Sequence, residues 1–345
     1  MVFLQANTKM VLCRRFCSEA SVAKKDVFQR VLAGFPSGIQ MAFAYGSGVF
    51  QQTGADMSKN MLDFIVVVDN PTEWHRENME QNFKHYSFLK HLGAKTVSKI
   101  QNSYGAGIYF NTLVPFEQRL IKYGVIGTDV LISDLLNWDT LYVSGRLHKP
   151  VKIVKKPNST ELIEALHTNL SSAVHSSLLL LPENFTANEL YMTITSLSYS
   201  GDFRMKFGED KGKVSKIVAP NLPYFNKLYK PILNETKYLT YSEESELFMH
   251  TQSKETRCYH LNHVPNVVVD KLSDICKKTN PDIPRHEIVD VIAFDSKCND
   301  FVFGSIASIV NKSSWSQSVK GILTAGLSKS IRYSWSKVKK MIKNS

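Results

Sequence analysis

The sequence contains no long apolar run, and this absence excludes an obvious transmembrane helix. A helix that crosses a bilayer needs about 20 mostly apolar residues, whereas the leucine run at residues 178–181 stops at Pro182. The 345 residues are 43% hydrophobic and 21% charged, which is typical of a globular protein with one or two domains.

Paired cysteines and C-terminal acidic residues are also missing. The five cysteines include no CxxC pair, so neither a disulfide framework nor a zinc site is indicated. No acidic residue follows Asp300, although that segment is rich in lysine and the formal net charge is +11. A basic tail on a near-neutral body indicates an anionic surface as partner, and we expect no nucleic acid because the charge is not spread evenly.

The first residues are apolar and basic, with no acid before Glu19. This composition is typical of a mitochondrial transit peptide, and an ordinary disordered N-terminus is the alternative. We assign residues 1–19 to a transit segment.

Hydrophobic periodicity predicts an α+β protein. The segment at residues 62–68 is almost entirely apolar, which predicts a strand buried on both faces. From about residue 157 the pattern becomes helical, with a capping box at Ser159. The predicted helices cover residues 20–37, 72–92, 128–138 and 183–200, and the predicted strands cover residues 40–45, 62–68, 105–111 and 119–126. We predict domains at residues 20–155 and 156–300 and a membrane-binding tail at residues 301–345.

The turn Gly46-Ser47-Gly48 lies between two predicted strands, and Asp63 lies near the start of the second. Backbone N–H groups in such a turn bind triphosphate oxygens, and a carboxylate on the next strand holds Mg²⁺ against them. This order is typical of a polymerase beta-type nucleotidyltransferase. That pattern expects two acids, and the first falls at Met61; the candidates to replace it are Asp56, Asp129 and Asp134. The alternative is a plain turn beside a strand-capping aspartate.

Several longer segments carry a more specific resemblance, which runs from about residue 28 to the C-terminus. They are Tyr45-Gly46-Ser47-Gly48-Val49-Phe50, Met61-Leu62-Asp63-Phe64, the stretch at residues 134–151 and Ser200-Gly201-Asp202-Phe203-Arg204-Met205. With these segments the chain resembles the mitochondrial phosphatidate cytidylyltransferase family.

The resemblance implies that CTP and phosphatidic acid react to give CDP-diacylglycerol and pyrophosphate, with Mg²⁺ as cofactor. It implies a peripheral position on the matrix side of the inner mitochondrial membrane and supply of precursor for cardiolipin. It also implies a nucleotidyltransferase domain followed by a winged-helix-like domain.

A phosphate monoester is already an anionic nucleophile near pH 7, so the protein mainly has to neutralise and position two phosphates. For this role we select Arg146, Lys149 and Arg204 as catalytic residues together with Asp63, and Lys213 with the Gly46–Gly48 turn as nucleotide-binding residues. Each cation is alternatively a surface charge or an ion-pair partner. Asp202 either orients Arg204 or serves the metal, and Asp134 is a second candidate metal ligand beside Asp63.

The C-terminal residues predict a basic amphipathic helix that lies on a membrane. Apolar residues recur at steps of three or four from Val319 to Ile342. We predict that the membrane-binding residues are Trp315, Lys329, Arg332, Trp335, Lys339 and Lys340. A helix packed on the body with its charged face in water is the alternative.

Two other functions fit parts of the pattern. A nucleotidyltransferase acting on RNA ends would share the turn and Asp63, although the basic charge is concentrated in the tail rather than interleaved with stacking aromatics. A non-catalytic factor that maintains mitochondrial protein translocation would explain the missing acid at Met61.

Overall fold

The computed structural model describes residues 26–51, 60–207 and 212–325. Within them the architecture is α+β, as the sequence predicts, with a mixed five-stranded sheet, a small antiparallel sheet and many helices. The strands are β1 (Ile39–Tyr45), β2 (Leu62–Val68), β3 (Ile108–Phe116), β4 (Arg119–Gly127), β5 (Lys152–Lys155), β6 (Asn184–Thr186), β7 (Leu239–Ser242) and β8 (Leu247–His250).

The α-helices are α1 (Val27–Ala33), α2 (Pro71–Asn82), α3 (Gly93–Ser103), α4 (Thr128–Asn137), α5 (Ser144–Leu147), α6 (Thr160–Leu178), α7 (Ala187–Leu197), α8 (Arg204–Phe207), α9 (Lys213–Val218), α10 (Leu222–Glu235), α11 (Lys254–Leu261), α12 (Asn266–Cys276), α13 (Ile288–Phe294) and α14 (Cys298–Ala325). Short 3₁₀ helices are Phe83–His85, Phe88–Leu92, Ala219–Asn221 and Arg285–Glu287. The described residues up to Gly34, which include α1, belong to a different unit from the one that begins at Phe35.

The five-stranded sheet has the strand order β3-β4-β2-β1-β5, and only the β2–β4 pair is parallel. Its register aligns three polar residues on neighbouring strands. Tyr45 on β1 pairs with Asp63 on β2, and Asp63 pairs with Lys122 on β4. This end of the sheet therefore brings together side chains that are far apart in sequence.

The predicted strands at residues 40–45 and 62–68 are confirmed, and β2 is buried along nearly its whole length. Three helix predictions were too long, and the one at residues 20–37 extends beyond α1, which ends at Ala33. Residues 83–92 form 3₁₀ turns rather than a continuation of α2. Residues 184–186 pair with β8, so the predicted helix at 183–200 begins only after Thr186, whose side chain forms a capping box with Glu189. At Ser159 the side chain caps α6 by accepting from Leu162 N, without the reciprocal half of a capping box.

Two large apolar clusters stabilise the chain after residue 34, since burial of apolar surface is the main favourable term in folding. One lies on a face of the five-stranded sheet and includes Phe43 and Ile65 together with Leu162 of α6. The other is formed mostly by helices after residue 170 and includes Trp138. Because each cluster takes residues from both sides of residue 155, the sheet and the helical region share their packing.

Helix α14 begins before the predicted tail boundary at residue 301 and packs on the body. Val302, Ile306 and Ile309 are buried in the helical cluster. Further along, Gln317 Oε1 accepts a hydrogen bond from Ala106 N at 2.9 Å, and Lys320 Nζ donates to Gln101 O at 2.8 Å and Tyr104 O at 2.7 Å. Burial lowers the pKa of Lys320 to about 7. The first part of the predicted tail is therefore a packed helix.

No helix in the described part of the chain is both long enough and apolar enough to cross a bilayer. The predicted transit segment at residues 1–19 and the tail residues Lys329, Arg332, Trp335, Lys339 and Lys340 lie outside the described residues.

Several histidines are buried and uncharged. His75 hydrogen-bonds to Tyr86 Oη at 2.7 Å and Gln101 Oε1 at 2.9 Å. His148 hydrogen-bonds to Asn169 Oδ1 at 3.0 Å, which also accepts from Trp138 Nε1. His175 and His260 share a hydrogen bond of 2.8 Å. Burial, the largest cause in each case, lowers the pKa from 6.5 to about 4 for His75, 3 for His148, 3 for His175 and 4 for His260.

Because these histidines are buried, we expect the free energy of unfolding to fall in mild acid. Between pH 6.5 and about 4 the unfolded chain binds protons that the folded chain excludes, so the free energy of unfolding falls as the pH is lowered through this window. Each histidine contributes a slope of up to about 1.4 kcal/mol per pH unit. Urea denaturation at pH 7.5, 6.5 and 5.5 measures the effect. An unfolding free energy that is the same at pH 5.5 and 7.5 would contradict this account.

Candidate active site

The Gly46–Gly48 turn lies directly against Asp63. Gly46 has a φ of +79°, a left-handed conformation that favours glycine, and its carbonyl accepts hydrogen bonds from Val49 N and Phe50 N at 3.0 Å each. A Cβ on Gly46 would lie 3.4 Å from Asp63 Oδ2, and one on Gly48 would lie 2.6 Å from Met61 O. The turn and the carboxylate therefore face the same small space, as the sequence predicts.

Lys122 lies beside Asp63 on the neighbouring strand. Its Nζ is 3.8 Å from Asp63 Oδ1, and both side chains are partly buried. The same Nζ lies 4.4 Å from the centroid of the Phe110 ring. Lys122 thus adds a positive charge next to the carboxylate.

Arg146 packs between two tyrosines at the same end of the sheet. Its Cζ lies 3.9 Å from the Tyr142 ring centroid and 5.5 Å from the Tyr45 ring centroid, and it donates a hydrogen bond to Tyr142 O. Burial acts to raise the pKa of the Tyr142 phenol, but the charges of Arg146, Lys122 and Arg204 lower it overall. Three cations therefore act on one phenol oxygen.

Lys149 and Lys213 lie close to the ring of Tyr199. Each Nζ is 5.1 Å from the ring centroid. Lys149 also donates to Ser198 Oγ at 2.8 Å and to Gly145 O. Burial, with the charges of Arg146 and Lys213 added, holds the pKa of Lys149 well below its usual range. A bound phosphate would stabilise the charged form of this amine.

Asp202 orients Arg204. The guanidinium donates from Nε to Asp202 Oδ1 at 2.9 Å and Oδ2 at 3.1 Å, and from Nη2 to Oδ2 at 2.5 Å. Asp202 is buried, and its Oδ1 also accepts from Arg204 N. Of the two roles that the sequence leaves open for Asp202, these contacts favour orientation of Arg204 over metal binding.

Asp134 holds a loop together. Its Oδ1 accepts from Thr140 N at 2.8 Å, Thr140 Oγ1 at 2.8 Å and Leu141 N at 3.0 Å, and its Oδ2 accepts from Val143 N at 3.3 Å and Ser144 N at 3.0 Å. This loop leads into α5, which carries Arg146. The five hydrogen bonds give Asp134 a structural role, and we do not include it among the ligands of a metal.

Asp63 is accordingly the acid that best fits a cation at this site. In the described ranges, no three His, Cys, Asp or Glu side chains come together as a metal-binding group. Mg²⁺ in nucleotide sites is commonly held by one or two carboxylates and completed by phosphate oxygens and water. A single carboxylate beside a glycine turn fits that arrangement. Asp56 lies outside the described residues.

Comparison with known proteins gives the family. A sequence profile described as "Phosphatidate cytidylyltransferase, mitochondrial" matches residues 28–340. A Danio rerio protein of that name is 49% identical over 317 residues, which cover 91% of this chain and 94% of the relative. Proteins of the same name from Xenopus laevis and Caenorhabditis elegans are 46% and 38% identical. Each match covers 92% of this chain, and the two matches cover 95% and 99% of the respective relative. The chain belongs to the mitochondrial phosphatidate cytidylyltransferase family.

For this member of the phosphatidate cytidylyltransferase family, sequence reasoning missed Lys122 and the supporting tyrosines. Neither Tyr142 nor Tyr199 is singled out by the sequence pattern. One signal was available: Lys122 is a cation within a strand that is otherwise largely buried. Its pairing with Asp63 depends on the parallel register of β2 and β4, which the sequence does not reveal.

The role of Asp134 can be tested by its effect on stability. We expect Asp134→Asn to lower the free energy of unfolding by about 3 kcal/mol, because the amide replaces one acceptor oxygen with a donor in a loop of buried N–H groups. Asp139→Asn is the matched control, since Asp139 is an exposed acceptor for Ser133 Oγ in the same loop region. Urea denaturation of both variants measures the difference. Equal stability of the two variants would contradict the structural role.

Proposed function

We propose that this protein transfers the cytidylyl group of CTP to phosphatidic acid, giving CDP-diacylglycerol and pyrophosphate. The observation that carries the proposal is the convergence of a glycine turn, one carboxylate and several cations at one end of the sheet. The family's name supports the choice of substrates. Supply of CDP-diacylglycerol for cardiolipin synthesis is the proposed role of the product.

The chemistry follows from the charges. A phosphate oxygen of phosphatidic acid attacks the α-phosphorus of CTP, a new P–O bond forms, and the bond to the leaving pyrophosphate breaks. The nucleophile is already anionic, so no general base is required. Two anionic phosphates must instead be held close together, which needs preorganised positive charge. We assign this role to Lys122, Arg146, Lys149, Arg204 and Lys213.

We propose that Mg²⁺ binds to Asp63 and to phosphate oxygens of the nucleotide. When bound, the ion would neutralise charge on the triphosphate. The N–H groups of the Gly46–Gly48 turn and the Ser47 hydroxyl would bind the same phosphates. The proximity of Gly46 to Asp63 Oδ2 supports this assignment, because a Cβ at Gly46 would be in van der Waals contact with the carboxylate at 3.4 Å.

The finer description of the fold is also a proposal. The order β1, glycine turn and β2 with Asp63 near its start supports a polymerase beta-type nucleotidyltransferase domain at residues 20–155. The antiparallel sheet β6-β8-β7 among helices supports a winged-helix-like domain at residues 156–300.

We propose that the protein lies peripherally on the matrix side of the inner mitochondrial membrane. Its relatives are named as mitochondrial. On α14 the side chains of Trp315, Val319 and Ile322 are exposed and lie at helical spacing on one stripe. The basic residues of the tail that follow them would attract anionic lipid at about 1 kcal/mol each. We infer that the stripe faces lipid and that the basic charge of the tail adds to the attraction.

The activity predicts a strong effect at Asp63. Asp63→Asn should lower turnover by about a hundredfold or more, because a neutral amide binds Mg²⁺ weakly. The assay uses labelled CTP, Mg²⁺ and phosphatidic acid in liposomes, and measures labelled CDP-lipid. Asp69→Asn is the matched control: this exposed aspartate follows the other end of β2, where it accepts from Gln40 and Thr128, and its loss should leave turnover within about twofold.

The wild-type protein, given phosphatidic acid or RNA as the acceptor in this assay, distinguishes the three candidate functions. Transfer to RNA ends without CDP-lipid would select a nucleotidyltransferase that acts on RNA. No transfer to either acceptor would support a non-catalytic maintenance factor. Full activity of Asp63→Asn would overturn the assignment of the site.

The tail predicts a separate effect on membrane binding. Replacing Lys329, Arg332, Lys339 and Lys340 by Gln should weaken binding to vesicles that contain anionic lipid by more than about tenfold, because these charges act together near the surface. The matched control replaces four exposed lysines of the body, Lys227, Lys230, Lys277 and Lys278, by Gln. Vesicle sedimentation measures both. Equal loss in the two variants would show that total charge, rather than the tail, governs binding.

A further inference from the structure

The segment Gly201–Arg204 connects the candidate active site to helix α14. At its end lies Arg204, whose charge acts on Tyr142 and Arg146 in the candidate active site. At its beginning Gly201 has a φ of +81° and packs so closely on α14 that an added Cβ would lie 2.1 Å from Ala307 O. The segment is therefore fixed to the helix at one end and carries a site residue at the other.

Two further contacts hold this segment on α14. Asn311 Nδ2 donates a hydrogen bond to Gly201 O at 3.0 Å. The Phe203 ring stacks on Trp315 with a centroid distance of 4.2 Å and an interplanar angle of 20°. Phe203 is the immediate neighbour of Arg204 in the chain, so loss of the stacked ring removes a support from the backbone that carries the guanidinium.

Trp315 is a large aromatic residue at a surface position. Its side chain is 53% exposed although it makes this stacking contact. It also lies on the stripe with Val319 and Ile322 that we propose to face lipid. One residue thus contacts the loop of Arg204 and takes part in the surface that would meet the membrane.

Helix α14 itself is held in place from its other side. Gln317 and Lys320 are buried and hydrogen-bond to backbone groups in the last turn of α3 and in the loop between α3 and β3. Trp315 therefore presents its ring to Phe203 from a helix that is anchored to the sheet region, rather than from a loosely attached tail. An anchored support is what positioning of a neighbouring side chain requires.

We propose that Trp315, by stacking on Phe203, positions Arg204 for the transfer reaction, so that the lipid-facing surface and the active site are mechanically connected. This inference rests on the proposed function, since it assigns Arg204 to phosphate binding. Trp315 is a positioning residue and touches no substrate itself. The simpler interpretation gives Trp315 only a role in membrane binding.

The test separates membrane binding from turnover. Phosphatidylcholine vesicles containing phosphatidic acid are mixed with CTP, Mg²⁺ and the full-length protein. Sedimentation gives the bound fraction, and the rate of CDP-lipid formation is divided by that fraction. We expect Trp315→Ala to lower the rate per bound molecule by about tenfold, as for loss of a contact that fixes a reacting group. Trp315→Phe, which keeps an aromatic ring, should recover most of that rate.

A double-mutant cycle with Arg204 gives the decisive readout. If Trp315 acts through Arg204, then Trp315→Ala should change the rate per bound molecule by less than about twofold in the Arg204→Ala background. Phe294→Ala is the control for loss of an exposed aromatic, because its ring contacts Lys254 on another helix. Its rate per bound molecule should equal that of the wild-type protein.

Each outcome decides the proposal. An unchanged rate per bound molecule in Trp315→Ala, or equal losses with and without Arg204, would overturn it and leave Trp315 as a membrane anchor only. If Trp315→Ala does not fold, Asn311→Ala disturbs the same segment by removing the donor to Gly201 O, and its effect should also disappear in the Arg204→Ala background. Failure of the wild-type protein to make any CDP-lipid would instead refute the proposed function.

Discussion

Crowding of positive charge at one end of the central sheet is the constraint on which the site depends. Burying cations near one another is costly, because each loses hydration and repels the next. In the described part of the chain the cost is offset by aromatic faces and backbone carbonyls: Arg146 lies on Tyr142, Lys149 near Tyr199, and Lys122 over Phe110. Such an arrangement gains most from an anionic ligand, which a nucleoside triphosphate supplies.

The surrounding structure supplies rigid attachments for these cations. Asp134 organises the loop before Arg146, and Asp202 fixes the guanidinium of Arg204. Close backbone approaches at Gly145 and Gly201 bring the α5 and α8 segments against their neighbours, since a Cβ at either position would meet another residue within 2.4 Å. Buried carboxylates thus act as supports for the cations, while the Asp63 carboxylate faces the glycine turn.

Helix α14 also connects the region of the candidate active site with the stripe that we propose to face lipid. Helix α14 contacts the loop before β3, packs in the helical cluster and carries the exposed stripe that begins at Trp315. A lipid substrate is delivered from a surface, so an enzyme that uses it benefits when the surface-binding element has a fixed geometry relative to the site. The contacts of α14 with both regions provide that geometry.

The sequence by itself determined the strand–turn–strand pattern around Gly46 and Asp63, the positions of β1, β2 and β4 and of several helices, and the family resemblance, because these are properties of neighbouring residues and local periodicity. It also selected Arg146, Lys149 and Arg204. Only the tertiary structure decided that Lys122 lies beside Asp63, that Asp134 binds a loop, and that α14 reaches the Arg204 segment. Those facts depend on strand register and long-range packing, in which a shift of one residue moves a side chain to the opposite face.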